Sequence, residues 1–161
     1  MPFTWQSGMK LTPARLNRLL VVRKTADESV TNNATLQDDD QLQISVPANS
    51  AYRLRLFAVH NTAAAPNLRI GFAGPSGVSF GRLKFEAGPN ANLQVGVLAA
   101  GSAPTTGGVT GTAADSPLEV VGVVTTGSTA GLIKFQWSQS VSNASAATVR
   151  AGSLLELALI D

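Results

Sequence analysis

The chain has 161 residues, with twelve Lys and Arg against ten Asp and Glu, one His and no Cys. That length suits a single domain with a real core, and the missing Cys excludes disulfides, thiolate zinc sites and Cys nucleophiles. A lone His rules out His-pair metal centres, and charged residues at 14% fall well below the ~25% of ordinary soluble domains.

Residues 1–23 are expected to form an arm. Pro2, Phe3, Trp5 and Gly8 read as extended chain, without the unbroken apolar stretch of a secretory signal. Phe3 and Trp5 need shelter, either against the chain's own body or in a partner's groove, where aromatic anchors dominate binding. Thr12 followed by Pro13 has helix-start grammar, and Leu16, Leu19 and Leu20 fall at i, i+3, i+4. The spacing predicts a helix of about two turns. The first 24 residues hold Lys10, Arg15, Arg18, Arg23 and Lys24 and no acid, leaving seven bases against ten acids in the remainder. A basic arm on a faintly acidic body can dock on a protein, an anionic membrane or nucleic acid. These charges form no dense cluster and no nucleic-acid motif follows, so the expectation is a protein surface.

From Leu20 onward the apolar period becomes two. Tyr52, Leu54, Leu56 and Ala58 alternate with Arg53, Arg55 and Phe57, as a half-buried strand does. Leu68, Ile70 and Phe72 alternate with Arg69 and Gly71. Further strands are predicted over 42–46, 78–85, 93–98, 118–126, 131–138 and 153–160, separated by turn clusters such as Pro47-Ala48-Asn49 and Gly74-Pro75-Ser76-Gly77. Residues 99–117, rich in Gly, Ala and Thr, read as a long polar loop. No apolar run reaches the ~18–20 residues of a membrane-spanning helix. The expected fold is all-β, an antiparallel β-sandwich or jelly roll over 24–161 behind the short N-terminal arm and helix.

Two strands predict self-association. Segment 118–124 is apolar on both faces, with Val121 and Val123 out of phase with Leu118, Val120 and Val124, and 154–160 repeats this through Leu155 and Leu157. A second apolar face requires a second cover, and another copy of the chain supplies it. Val121, Val123, Leu155 and Leu157 are therefore predicted at the interface of a symmetric homo-oligomer, a trimer.

Catalytic signatures are absent. Asp38-Asp39-Asp40 lacks the spacing and terminal Glu of a calcium loop and reads as a solvated hairpin turn. His60, beside Asn61 and Thr62, reads as a satisfied structural residue, and no G-x-S-x-G context accompanies any Ser. Trp137 and Tyr52 read as core. No enzyme, cofactor or metal is expected.

Lys24-Thr25-Ala26-Asp27-Glu28-Ser29-Val30-Thr31, with Thr35-Leu36-Gln37-Asp38-Asp39-Asp40-Gln41-Leu42, resembles a module of tailed bacteriophages of actinobacteria. The Gly71–Gly77 turn, Gln136-Trp137-Ser138-Gln139 and Ala147–Ser153 resemble its later motifs, so the likeness spans about residues 24–155. Thr4-Trp5-Gln6-Ser7-Gly8 with Leu11–Asn17 is similar to the arm that opens many phage tail and fibre proteins. The resemblance implies a virion structural component, made in the host cytoplasm and assembled as a trimeric jelly roll. Its partners would be other virion proteins, a major capsid protein or tail proteins, with neither nucleic acid nor membrane. Phe3, Trp5, Arg15, Leu16, Arg18 and Leu19 are the expected anchors on the particle. A one-domain chain without heptads for a shaft suits capsid decoration, while the Trp5–Asn17 pattern suits a minor tail or tail-fibre protein.

Overall fold

In the segment Tyr52–Ala58 the predicted alternation is realised: Tyr52, Leu54, Leu56 and Ala58 are buried, and Arg53, Arg55 and Phe57 point outward. The computed structural model describes residues 19–63, 66–88, 94–98, 105–109 and 113–160, and contains no helix among them. In chain order the strands are β1 (Leu19–Arg23), β2 (Glu28–Val30), β3 (Gln37–Val46), β4 (Ala51–Thr62), β5 (Leu68–Ala73), β6 (Ser79–Phe80) and β7 (Leu83–Ala87). They continue with β8 (Gln94–Leu98), β9 (Thr105–Val109), β10 (Ser116–Thr125), β11 (Gly131–Gln139), β12 (Ala147–Val149) and β13 (Leu154–Leu159).

These strands make two antiparallel sheets. The larger runs β1-β13-β4-β10-β7-β8, with β12 joining β4 to β2 and β6 lying beside β10. The smaller runs β3-β11-β5-β9. Inward side chains of both sheets share one core, in which Ile44, Phe72, Phe135 and Trp137 of the smaller sheet join Leu54, Leu56, Val120 and Leu157 of the larger. Phe72 packs on Phe80 and on Phe135 with ring centroids 5.9 and 5.6 Å apart. Each such fully buried side chain contributes roughly 1.5–3 kcal/mol by leaving water. Gly122 takes an inward slot between Val120 and Val124 because Leu83 already fills the space that a Cβ would need.

Four expectations need correction. Leu19 and Leu20 lie in β1, opposite Ala158 and Leu157, so the helical stripe does not continue this far; a ladder partner far along the chain overrides the local leucine spacing. The rest of that predicted helix lies outside the described residues. The loop predicted over 99–117 contains β9 and the start of β10, with β9 paired along β5. Leu155 and Leu157 are fully buried beneath the larger sheet, because β13 alternates inward and outward like its neighbours. They belong to the core rather than to a subunit interface.

The fourth correction concerns Asp39. The β3–β11 ladder shifts register between Lys134, opposite Gln43, and Gln136, opposite Asp38. The extra residues of β3 bulge there, and the phase of inward positions changes with them. Leu42, Ile44 and Val46 face the core on one side of the bulge, and Asp39 faces it on the other. The Asp39 carboxylate itself holds the bulge, its Oδ1 accepting the backbone N–H groups of Gln41 and Leu42 at 3.0 and 2.8 Å. Asp38–Asp40 is thus a bulged strand around a buried carboxylate, not a solvated turn.

Candidate functional site

The outer face of the larger sheet concentrates exposed apolar surface. Leu19, Val21, Phe57, Val121, Val123 and Ile160 are large hydrophobics left 37–56% exposed, and the first five sit at outward positions of β1, β4 and β10. Ile160 follows β13 in the same phase as Leu154, Glu156 and Ala158. Cross-strand register places charge between these apolar side chains: Val121 stands opposite Arg55 and Lys84, Val123 opposite Arg53, and Val21 opposite Glu156. Arg55 pairs with Glu119 at 2.7 Å, and Lys84 pairs with Glu86. Such exposed pairs add little to stability, and they leave the face amphipathic rather than greasy. Two small depressions lie on it, between Lys84, Glu119 and Val121 and between Phe57, Ala87 and Pro117.

Val121 and Val123, predicted at a subunit interface, are exposed on this face. Leu19 is exposed at the edge strand of the same face. Phe3, Trp5, Arg15, Leu16 and Arg18 lie outside the described residues.

Beneath the sheets lies a buried charge cluster. Lys24, read above as part of the basic arm, is 1% exposed, and Asp39 is fully buried. Lys24 Nζ donates to both Asp39 oxygens at 2.9 Å and to Glu28 Oε2 at 2.6 Å. Trp137 is core, as expected, and its Nε1 donates to Asp39 Oδ2 at 3.1 Å. Lys24 N and O bond the backbone of Ser153 and Gly152, which fixes the stem of the lysine next to β13. The sequence held one signal for this cluster: an Asp three residues before Leu42 in a strand whose later residues alternate.

A polar corner forms at the Thr62 end of β4. Arg150 donates to Asp27 Oδ2 at 2.8 Å and to Asp115 Oδ1 at 3.0 Å, and Asn61 Nδ2 donates to Asp115 at 2.9 Å. The Ala151 backbone N–H and the Arg150 guanidinium hold the Asp27 carboxyl below its ordinary range. Hydrogen bonds from Asn61 and Arg150 do the same for Asp115. Lys134, at 2.6 Å, lowers Asp38.

His60 lies inside this corner, fully buried, and neither ring nitrogen has a partner among the described residues. The expected satisfied imidazole is not seen among the described residues. Burial pushes its pKa down to about 4, against a weaker upward pull from Asp115. Among the described residues no three His, Cys, Asp or Glu side chains converge as metal ligands would.

Fold and surface together define an all-β, two-sheet protein whose candidate site is an outward sheet face. No protein-family model matches the chain, and no curated protein matches it. Among solved structures it is similar to a chain of infectious bursal disease virus, Gx strain, at 13% identity and a TM-score of 0.23, covering 89% of this chain and 41% of that one. A chain of the Gt strain aligns at 15% identity and the same TM-score of 0.23, over 99% of this chain and 45% of that one. The chain spans less than half the length of either, and at these TM-scores the likeness carries no structural argument.

Proposed function

We propose that this chain is a non-enzymatic structural protein of a bacteriophage virion, a trimeric capsid decoration protein that docks on the shell through its N-terminal arm. The observation that carries the assembly is the outer face of the larger sheet, where Phe57, Val121 and Val123 are exposed among charges of both signs. A second copy can cover such a face, matching apolar rows to apolar rows and acids to bases. The ladders support a jelly roll. Eight strands pair as the two arms of one long hairpin: β3 with β11, β4 with β10, β5 with β9 and β7 with β8. Rolling that hairpin adds the β11–β5 and β10–β7 ladders, the doubled Greek key found in many capsid and lectin domains. The bacteriophage assignment rests on the motifs between Lys24 and Ser153. The Trp5–Asn17 pattern favours a second reading, a minor tail protein contributing to host attachment.

Light scattering on the purified protein is expected to give three times 16.6 kDa, and Val121→Glu with Val123→Glu to give a folded monomer. A wild-type monomer at micromolar concentration ends the trimer reading.

The arm is tested separately. Deleting residues 1–18, which stops short of β1, should leave a folded trimer that no longer binds particles lacking the native protein. Trp5→Ala should weaken binding by about 2 kcal/mol or more, as interface hot spots do. Undiminished decoration by the truncated protein would move attachment to the β-body. Electron microscopy of labelled particles separates capsid from tail.

A further inference from the structure

The buried pair of Lys24 and Asp39 is arranged for more than an ion pair. We propose that Lys24 and Asp39 condense into an intramolecular isopeptide bond, with Glu28 relaying the protons. Nζ stands 2.9 Å from each Asp39 oxygen, which brings the carboxyl carbon within the ~3–3.5 Å of a near-attack arrangement. Two backbone N–H groups, of Gln41 and Leu42, already point at Oδ1. Fixed donors of this kind stabilise the negative charge that develops on an oxygen under attack. Oδ2 receives the Trp137 indole N–H instead. Glu28 is held for its part by Gln37 Nε2 on Oε1 at 3.0 Å and by the Asp40 N–H on Oε2 at 3.1 Å.

The balance closes without any co-reactant. The Lys24 ammonium passes one proton to Glu28 Oε2, 2.6 Å away, and the neutral amine attacks Asp39 Cγ. Charge collects on Oδ1. Glu28 delivers its proton to Oδ2, takes a second from the nitrogen and delivers that too. The Cγ–Oδ2 bond breaks, and Oδ2 leaves as water. The third proton remains on the amide nitrogen, and Glu28 ends as the carboxylate it began as. One C–N bond has replaced one C–O bond, and nothing is oxidised or reduced. Burial favours the product, because two charges held away from water at a desolvation penalty become one neutral amide. Lys24 directly follows β1 and Asp39 sits in β3, so the bond would staple the base of the arm to the smaller sheet.

Intact-mass spectrometry of the denatured full-length protein decides the matter. The bond predicts a mass below that of the sequence by one water, and, after trypsin together with a glutamyl endopeptidase that cuts after Glu28, a branched peptide joining the Lys24 segment to the Asp39 segment. Lys24→Arg should restore the full sequence mass. Glu28→Gln should do so while keeping the near-ultraviolet signature of a buried Trp137, which marks the variant as folded. Wild-type protein of full sequence mass overturns the proposal and leaves an ion pair only. A water loss without the branched peptide overturns it equally.

Discussion

Replacing Asp39 by Ala is expected to lower stability by about 3 kcal/mol or more, near the lower end of what losing one partner of a buried charge pair costs. The change leaves Lys24 in the core, 1% exposed, with only Glu28 within reach. It also strips the Trp137 indole of its acceptor and frees the two N–H groups that the carboxylate holds in the bulge. Against a typical total of about 5–15 kcal/mol, that is a large fraction. Urea unfolding at neutral pH measures it. Where Lys24 and Asp39 remain an ion pair, Lys24→Met combined with Asp39→Leu removes both charges together and should recover most of the loss, as apolar replacement of buried ion pairs does elsewhere. Where they are joined covalently it should not, because the crosslink is gone. A single Asp39→Ala variant as stable as wild type would show that the cluster contributes nothing to the fold.

Acidification should destabilise the protein in a window set by His60. Its imidazole titrates at 6.5 when unfolded and at about 4 when folded. The unfolded state therefore binds more protons between those values, so stability falls as pH drops from 6.5 towards 4. At 1.36 kcal/mol per unit, the full loss is about 3 kcal/mol. Asp27, Asp38 and Asp115 are lowered from 3.8, so their contribution persists above that value and fades only below it. The two windows separate cleanly. His60→Leu should abolish the loss above pH 4 while leaving stability at pH 7 unchanged or higher, since two orphaned ring nitrogens disappear. Thermal melting at pH 7, 5.5 and 4.5 checks both statements. A wild-type melting temperature flat across that range would mean that the imidazole finds a partner or water.

What could be read from the sequence follows from how local each signal is. Tyr52–Ala58 announces both its strand and its buried face, because Arg53 and Arg55 alternate with large apolar residues. Val121 and Val123 announce an outward apolar surface by falling out of phase with Val120 and Val124. Leu155 and Leu157 carried the same look of two-sidedness, yet the half-buried Leu154 and Ala158 take the outward side of that strand. β2 and β12 span three residues each, too few to show a period; β2 exists by pairing with β12, and β12 by pairing with β2 and β4. β9, Thr-Thr-Gly-Gly-Val, has no apolar alternation and owes its place to β5. Asp39 is the sharpest case. Its burial depends on a bulge against β11, and the one local signal, an Asp out of phase with Leu42, does not by itself report a shift caused by a strand some hundred positions away.

The pairing of β1 with β13, Leu19 opposite Ala158, has a consequence for how the chain is born. Synthesis at roughly 5–20 residues per second leaves β1 without its neighbour for on the order of ten seconds. β4 waits less than half as long for its first partner, but β10, β12 and β13, its three partners, all come from the second half of the chain. Such distant pairing also puts folding itself in the slow class, on the order of milliseconds to seconds. Meanwhile β4 is a nascent strand with two open edges, the situation in which polypeptides stick to one another on the ribosome. Arg53 and Arg55, at two successive outward positions of its apolar run, are charges of the kind that oppose the zipping of such a strand onto a neighbouring nascent copy.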